Sequence, residues 1–513
     1  MMSDNRYRPK IRQNPEKPRN RQNLPILRLR GRDARSVVGE SPQGIERNSI
    51  IARRPRLARH DRYQQPSSHS YIRQGTNLVS RPNLLSLLVL TTLLFSHGQA
   101  DAQTKVTNVV VRTATPIMIG DRVTAQVEPG EILSMITRQD QMVWVQGEGG
   151  KKGWLNVDSV VDLKQAEPVY EALIQRQPQR AVHYERRAMM WSSRGDSDRA
   201  AEDYDRAIQL GSRNANTHMS RGIHHAIQGR FAQAVADYDR AIQLGMTDGP
   251  VFVNRGVARY AMGDFEEAIS DFDRAIAEGM KGLSIYVNRA SAHLAAGNHD
   301  RAIDDLNEAI RLAPDQPNGY FERARAWQQM DKMDQAITDF SRAIELDQDF
   351  VPAYRGRGFV WFLKGESEKA IADFDRWIQR QPESASAYNN RGFNLQRLGR
   401  YREALSDYRR SLELAPQYLL AMQNTAWLLA TCPDEEIRDA QAALKIAREA
   451  HEISEGQSVG VMKAMAAAYA ESGDFDEAVA WQTKVIQQLP EDERADEQDL
   501  LDLYRDENPY RMD

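Results

Sequence analysis

Residues 249–282 read GPVFVNRGVARYAMGDFEEAISDFDRAIAEGMKG. Two apolar blocks at helical spacing flank Gly263-Asp264. Val253, Gly256, Val257 and Tyr260 mark one face of a first helix; Phe265, Ala268, Ile269, Phe272 and Ile276 mark one face of a second. The same pattern recurs on both sides at a step of 34 residues. Gly195, Gly229, Gly263, Gly297, Asp331, Gly365 and Gly399 occupy the turn slot, and Ala200, Ala234, Ala268, Ala302, Ala336, Ala370 and Ala404 stand five residues later. A fixed period of this size predicts a stack of helix pairs, each covering the open face of its neighbour.

Further slots keep the register. An aromatic opens the first helix at Tyr184, Phe252, Tyr286, Tyr320, Tyr354 and Tyr388, with His218 as the exception. A small residue follows four later: Ala188, Gly222, Gly256, Ala290, Ala324, Gly358 and Gly392. The second helix carries a ring at Tyr204, Tyr238, Phe272, Phe340, Phe374 and Tyr408, with Leu306 departing. It then carries Ala207, Ala241, Ala275, Ala309 and Ala343, replaced by Trp377 and Ser411 in the next two units. Pro314, Pro382, Pro416 and Pro490 close units. This pattern resembles the tetratricopeptide repeat. The resemblance implies a mainly α fold, an α-solenoid of antiparallel helix pairs, that binds protein or peptide partners on the face lined by the first helix of each pair. The positions matching that face include Met189, Ile223, Val257, Phe359 and Phe393, with Asn254, Asn288 and Asn390 able to bond the backbone of an extended peptide.

Two slots depart from the family. Arg187, Arg221, Arg255, Arg289, Arg323, Arg357 and Arg391 stand where many such repeats carry leucine. Asp203, Asp237, Asp271, Asp305, Asp339, Asp373 and Asp407 precede the ring. A lone charge near a helix seam is costly, so the expectation is a structural ladder of Arg–Asp ion pairs within or between units. The functional alternative is an arginine row for anionic ligands.

The array is expected to begin with a half-repeat at 164–180, run through seven units at 181–418, pass a lengthened eighth unit at 419–458 and a ninth at 459–492. It ends in an acidic cap or tail at 493–513, where Leu500, Leu501, Leu503 and Tyr504 could cover the last helix face.

Charge divides the chain unevenly. Residues 1–83 hold nineteen Lys and Arg against six Asp and Glu; the rest holds forty-nine against sixty-six. The leader is expected to be disordered and basic. The acidic body argues against nucleic acid as the main ligand, since phosphate binding needs a basic face. Leu84–Phe95 (LLSLLVLTTLLF) is too short to span a bilayer and, with Arg81 before it and Ala100-Asp101-Ala102 after it, reads as a secretory signal at 84–102 cleaved before Gln103. Its depth in the chain suggests that translation starts near Leu78 or Val79, leaving residues 1–77 unmade. The alternatives are an uncleaved membrane anchor and a buried core helix. Cleavage would leave no stable span and an exported chain, periplasmic or in the cell envelope.

Residues 104–163 change to strand periodicity. Val106–Val111, Glu131–Ile136, Met142–Gln146 and Gly153–Val157 alternate or run β-branched, with turn signals at Thr115-Pro116, Gly120-Asp121, Pro129-Gly130 and 147–150, so five short strands are expected. Val109-Val110-Val111-Arg112, Glu128-Pro129-Gly130-Glu131, Val143-Trp144-Val145 and Gly153-Trp154-Leu155 resemble the bacterial SH3-like domain, a small β-barrel that tethers proteins to cell-wall material or docks on a neighbouring domain. Trp144 and Trp154 are expected in its core.

No catalytic motif is present: no phosphate-binding loop, nucleophile elbow or paired-histidine zinc helix. Cys432 stands alone, and His218, His224, His225, His293 and His299 fall at helix positions explained by stacking. The expectation is a non-enzymatic scaffold without cofactor or metal that binds partner proteins in the cell envelope. The alternatives are a cell-wall binder using the repeats as a spacer, and an accessory subunit of an envelope enzyme or outer-membrane assembly complex.

Overall fold

A computed structural model describes residues 107–512. The basic leader, the apolar run and the Ala100/Ala102 cleavage pattern lie outside the described residues. The first described element is an antiparallel sheet of seven strands: β1 (Thr107–Val111), β2 (Thr115–Ile119), β3 (Arg122–Val127), β4 (Ile132–Gln139), β5 (Met142–Gln146), β6 (Lys152–Asn156) and β7 (Val160–Asp162). Their order is β3-β2-β6-β5-β4-β1-β7, with β3 and β7 at two open edges. Two more strands form than the sequence suggests. Thr115-Pro116, read as a turn, opens β2. Proline is tolerated because Pro116 pairs only with Gln126 of β3, while β6 meets β2 at Met118 alone.

Alternation sorts the strands onto two faces. Val109, Val111, Ile117, Leu133, Val143, Val145 and Leu155 form one core. Trp144 and Trp154 point the other way. They face each other across β5 and β6 with ring centroids 5.4 Å apart, edge to face, and both are only half-buried. The expectation that they pack in the core is therefore corrected: one step along a strand reverses the face.

Twenty α-helices follow among the described residues. The first, α1 (Glu167–Arg176), seals the sheet to the array. Its Tyr170 is fully buried with Val110, Leu163 and Trp191, and donates its hydroxyl to the Gly130 carbonyl at 3.3 Å. Nine helix pairs then stack. In each, the first helix is termed A and the second B. Units 1 to 3 are α2 (Ala181–Arg194) and α3 (Ser197–Gln209), α4 (Ala215–Ile227) and α5 (Phe231–Gln243), α6 (Gly249–Met262) and α7 (Phe265–Ala277). Units 4 to 6 are α8 (Leu283–Ala295) and α9 (His299–Leu312), α10 (Pro317–Gln329) and α11 (Met333–Leu346), α12 (Val351–Leu363) and α13 (Ser367–Arg380). Units 7 to 9 are α14 (Ala385–Arg397) and α15 (Tyr401–Leu414), α16 (Leu419–Thr431) and α17 (Ala440–Ile453), α18 (Val459–Glu471) and α19 (Phe475–Gln488). A last helix, α20 (Ala495–Arg505), places Leu500, Leu501 and Tyr504 on unit 9. No described helix is long and apolar enough to cross a membrane.

The turn between A and B sits in the left-handed region in eight of the nine units, unit 8 being the exception, with φ from 71° to 91° at the glycines and 58° at Asp331. This conformation lets the last A-helix carbonyls be capped before the chain reverses. Close packing fixes the other small slots. Every alanine five residues after the turn, from Ala200 to Ala404, is fully buried. A Cβ on Gly256 would lie 2.9 Å from the Phe272 ring. Where the second alanine becomes Trp377, the indole is buried beside Phe374 and donates to Gln381 at 3.0 Å; Ser411 donates to the Ala385 carbonyl at 2.8 Å.

Candidate functional site: the helix-A face

Successive A helices approach one another more closely than successive B helices along most of the array. The A helices therefore line the inner, concave side of the stack. One helical position on this side gives a row at 34-residue spacing: Met189, Ile223, Val257, Ser291, Arg325, Phe359, Phe393 and Trp427. Its members differ in access. Met189 is 45% exposed, and Ile223, Val257 and Phe359 are half-buried. Phe393 is buried edge to face against Phe362 at 5.4 Å, so it is wall more than contact surface.

The asparagines three residues earlier divide in the same way. Asn254 and Asn288 are half-buried, and the Asn288 amide nitrogen is enclosed with no acceptor among the described residues. A buried donor left unpaired costs about 1–3 kcal/mol, which a backbone carbonyl from a bound peptide would relieve. Asn390 is instead engaged: its Oδ1 accepts from Asn389 at 3.4 Å, and Asn389 accepts from Asn424 at 3.0 Å.

The arginines do not face this groove as free cations. Each from Arg187 to Arg391 grips the aspartate sixteen residues later with two parallel bonds, as Arg323 does Asp339 through Nε (2.7 Å) and Nη2 (2.8 Å). The carboxylates of Asp203, Asp237, Asp271, Asp305, Asp339, Asp373 and Asp407 are buried. The partner hydrogen bonds hold the guanidinium of Arg289 above its ordinary range. From Arg221 onward, the third nitrogen reaches back to the preceding unit. Arg221 meets Asp205 (2.7 Å), Arg255 Asp239 (2.5 Å), Arg289 Asp273 (2.6 Å) and Arg391 Asp375 (2.6 Å). Arg323 and Arg357 meet the neutral Asn307 and Ser341 at that slot. Each arginine is thus a bracket across a seam, and the ladder stops where Arg409 and Thr425 replace acceptor and donor. The second acceptor was legible as the final Asp of the repeated Asp-aromatic-Asp triplet, but the Asp before the ring drew the reading.

Histidines fill polar gaps in unit 2. His224 bonds Ser192 at 2.7 Å and stacks on Tyr204, and burial pushes its pKa down to about 4. His218 Nδ1 lies 3.4 Å from Asp237 and His225 Nε2 lies 3.7 Å from it, beside an outer cleft of about 650 Å³ floored by Arg221. Burial lowers the pKa of both, against the pull of Asp237. Cys432 is buried, with its thiol pushed up. Among the described residues no group of three or more metal-ligating side chains converges.

Comparison with known proteins agrees with this architecture. A family model described as tetratricopeptide repeat matches residues 162–215, 192–249, 253–317 and 321–385. Two further models of the same description match 385–418 and 464–481, and the matches together span just over half of the chain. Among solved structures, that of MamA is 24% identical over 31% of this chain and 94% of that one, with a TM-score of 0.29. A tetratricopeptide repeat protein from Parabacteroides merdae is 18% identical over 54% of this chain and 98% of that one, with a TM-score of 0.39. Yeast Tom70 is 14% identical over 67% and 92%, with a TM-score of 0.36. No curated protein matches the sequence. With its units matched by these models and built as stacked helix pairs, the chain belongs to the tetratricopeptide repeat family.

Proposed function

We propose that the protein is a non-enzymatic interaction scaffold of the bacterial cell envelope that holds partner proteins along its concave helix-A face. Proteins of this family serve as interaction scaffolds, and the observation that supports this face is its uneven row. Packing positions repeat from unit to unit, while the row from Met189 to Trp427 passes from aliphatic (Met189, Ile223, Val257) through polar and charged (Ser291, Arg325) to aromatic (Phe359, Phe393, Trp427). Residues held constant by packing cannot discriminate between ligands; those that vary along an extended groove can. The apolar run at 84–95 and the A-x-A pattern after it support export. The short antiparallel strands and the Val143-Trp144-Val145 hairpin support an SH3-like module at the head of the array. The half-exposed Trp144/Trp154 pair favours a second reading for that module, contact with cell-wall material.

In-cell crosslinking followed by mass spectrometry of the full chain tests both partner and compartment. Ile223→Asp and Val257→Asp should each abolish the principal crosslinked partner, while a substitution at the exposed Met262, outside the row, should not. Equal loss from all three, or from none, overturns the assignment of the face.

A further inference from the structure

The last described residues do not trail into solvent. Helix α20 ends at Arg505, and two residues on stands Glu507, a non-glycine residue at φ 55°, where the Glu507 and Asn508 amides donate to the Tyr504 and Leu503 carbonyls. This left-handed cap turns the chain back, and Pro509 keeps it extended. Pro509 to Met512 then cross the A helices of three consecutive units. Tyr510 lies on Trp427 of α16 with centroids 5.7 Å apart. Arg511 pairs with Glu471 of α18 at 2.5 Å. The Met512 amide donates to the Thr431 carbonyl at 2.9 Å, and its sulfur accepts from Gln396 of α14 at 3.2 Å. Exposure falls along the segment, from the open residues 505–508 to a buried Met512.

Trp427 is the member of the variable row one repeat after Phe393, so the segment lies on the continuation of the concave face. Its contacts are those of a ligand: an aromatic ring on an aromatic floor, a charged fork on a carboxylate, a main-chain bond and an apolar anchor. Beneath it, the Trp427 indole N–H is enclosed with no acceptor among the described residues.

We infer that the groove over units 7–9 is a peptide-binding site, occupied in the free chain by its own C-terminal segment. It takes an extended peptide presenting an aromatic, a basic and a long unbranched apolar residue in succession. A partner with that order of side chains displaces the segment. The inference rests on the concave face being the binding surface and names the ligand chemistry at one end of it. Glu471, held also by Arg438 at 2.9 Å, selects the basic residue, and the indole selects the ring. A tethered segment acts at an effective concentration of about 1 mM, so for a peptide of about 10 μM intrinsic Kd it raises the apparent Kd about 100-fold.

The test uses a labelled peptide of residues 506–513 and fluorescence anisotropy. The full chain should bind it at least 10-fold more weakly than a chain lacking 506–513. In the shortened chain, Glu471→Arg should remove the binding. Should the shortened chain not fold, Arg511→Glu in the full chain carries the test: repulsion from Glu471 frees the groove, the added peptide binds, and pairing Arg511→Glu with Glu471→Arg closes it again. A folded, open chain that binds no peptide, or a full chain that binds as tightly as the opened one, overturns the proposal. Failure of the scaffold reading shows elsewhere, as crosslinking indifferent to Ile223→Asp and Val257→Asp, so the two outcomes are separable.

Discussion

The ladder makes a quantitative claim that one aspartate pair can test. Arg289 holds two carboxylates at similar distance: Asp305 within its own unit and Asp273 in the preceding one at 2.6 Å. Distance alone would rank them equal. Burial does not, since the Asp305 side chain is 7% exposed and that of Asp273 57%. Removing Asp305 strands a guanidinium that is itself only 20% exposed, and the cost of breaking a buried pair is about 3–5 kcal/mol. The surviving bond to Asp273 offsets part of this, so Asp305→Ala should cost about 3 kcal/mol. Asp273→Ala breaks an exposed contact and should cost about 0.5 kcal/mol. Urea denaturation of the full chain reads both as midpoint shifts, with the slope checked because long arrays lose two-state behaviour. Arg289→Leu combined with Asp305→Ala should recover most of the loss, because removing both buried charges avoids the stranded one. Equal costs for the two aspartates, within about 0.5 kcal/mol, would refute the argument that burial decides.

Three other outcomes follow from the packing. Asp331 occupies the left-handed slot that glycine fills in the other six strictly spaced units, so Asp331→Gly should stabilise by about 0.5–1 kcal/mol, seen as a raised urea midpoint. Gly256→Ala should cost under about 1 kcal/mol, since Ala188, Ala290 and Ala324 stand at the same slot, whereas Gly256→Leu should cost about 3 kcal/mol by driving Phe272 outward. His224 has its folded pKa lowered to about 4 from an unfolded value near 6.5, so the unfolded chain takes up its proton first. Stability is therefore lost as pH falls from about 6.5 towards 4, by up to about 3 kcal/mol. His224→Met, the residue at the equivalent Met190, should remove about 2 kcal/mol of that acid-side loss in melts compared at pH 7.5 and 4.5.

The helix pairs were legible because stacking imposes the same steric demand at each seam, and that demand writes itself as buried alanine, ring and left-handed glycine. The Arg–Asp slots were legible for the same reason, although the bond to the preceding unit was not: sequence shows recurrence, not which seam a side chain crosses. The sheet was read less well. Strands of five or six residues carry few alternations, and a proline weighs heavily against a strand until its missing partner is known. The variable row on the A helices could be placed by register, but its access could not: Phe393 and Phe359 read alike and both lie on Phe362, yet Phe393 is buried and Phe359 only half-buried. The C-terminal segment was invisible as a ligand. It has no periodicity, and its fit depends on contacts forty to more than a hundred residues away, from Arg511 with Glu471 to Met512 with Gln396.

The ladder's acceptors are not uniform, and this gives the array a mechanical character. The brackets closing units 1 to 4 and joining units 6 and 7 end on carboxylates, while those between units 4 and 5 and between 5 and 6 end on Asn307 and Ser341. Seen as a spring, the solenoid has two stiffer coils separated by a compliant middle. Between the sheet and unit 7, tension along the array would be taken up first at units 4–6, as a change of pitch rather than a loss of helices; beyond unit 7, where the ladder stops, no bracket resists it.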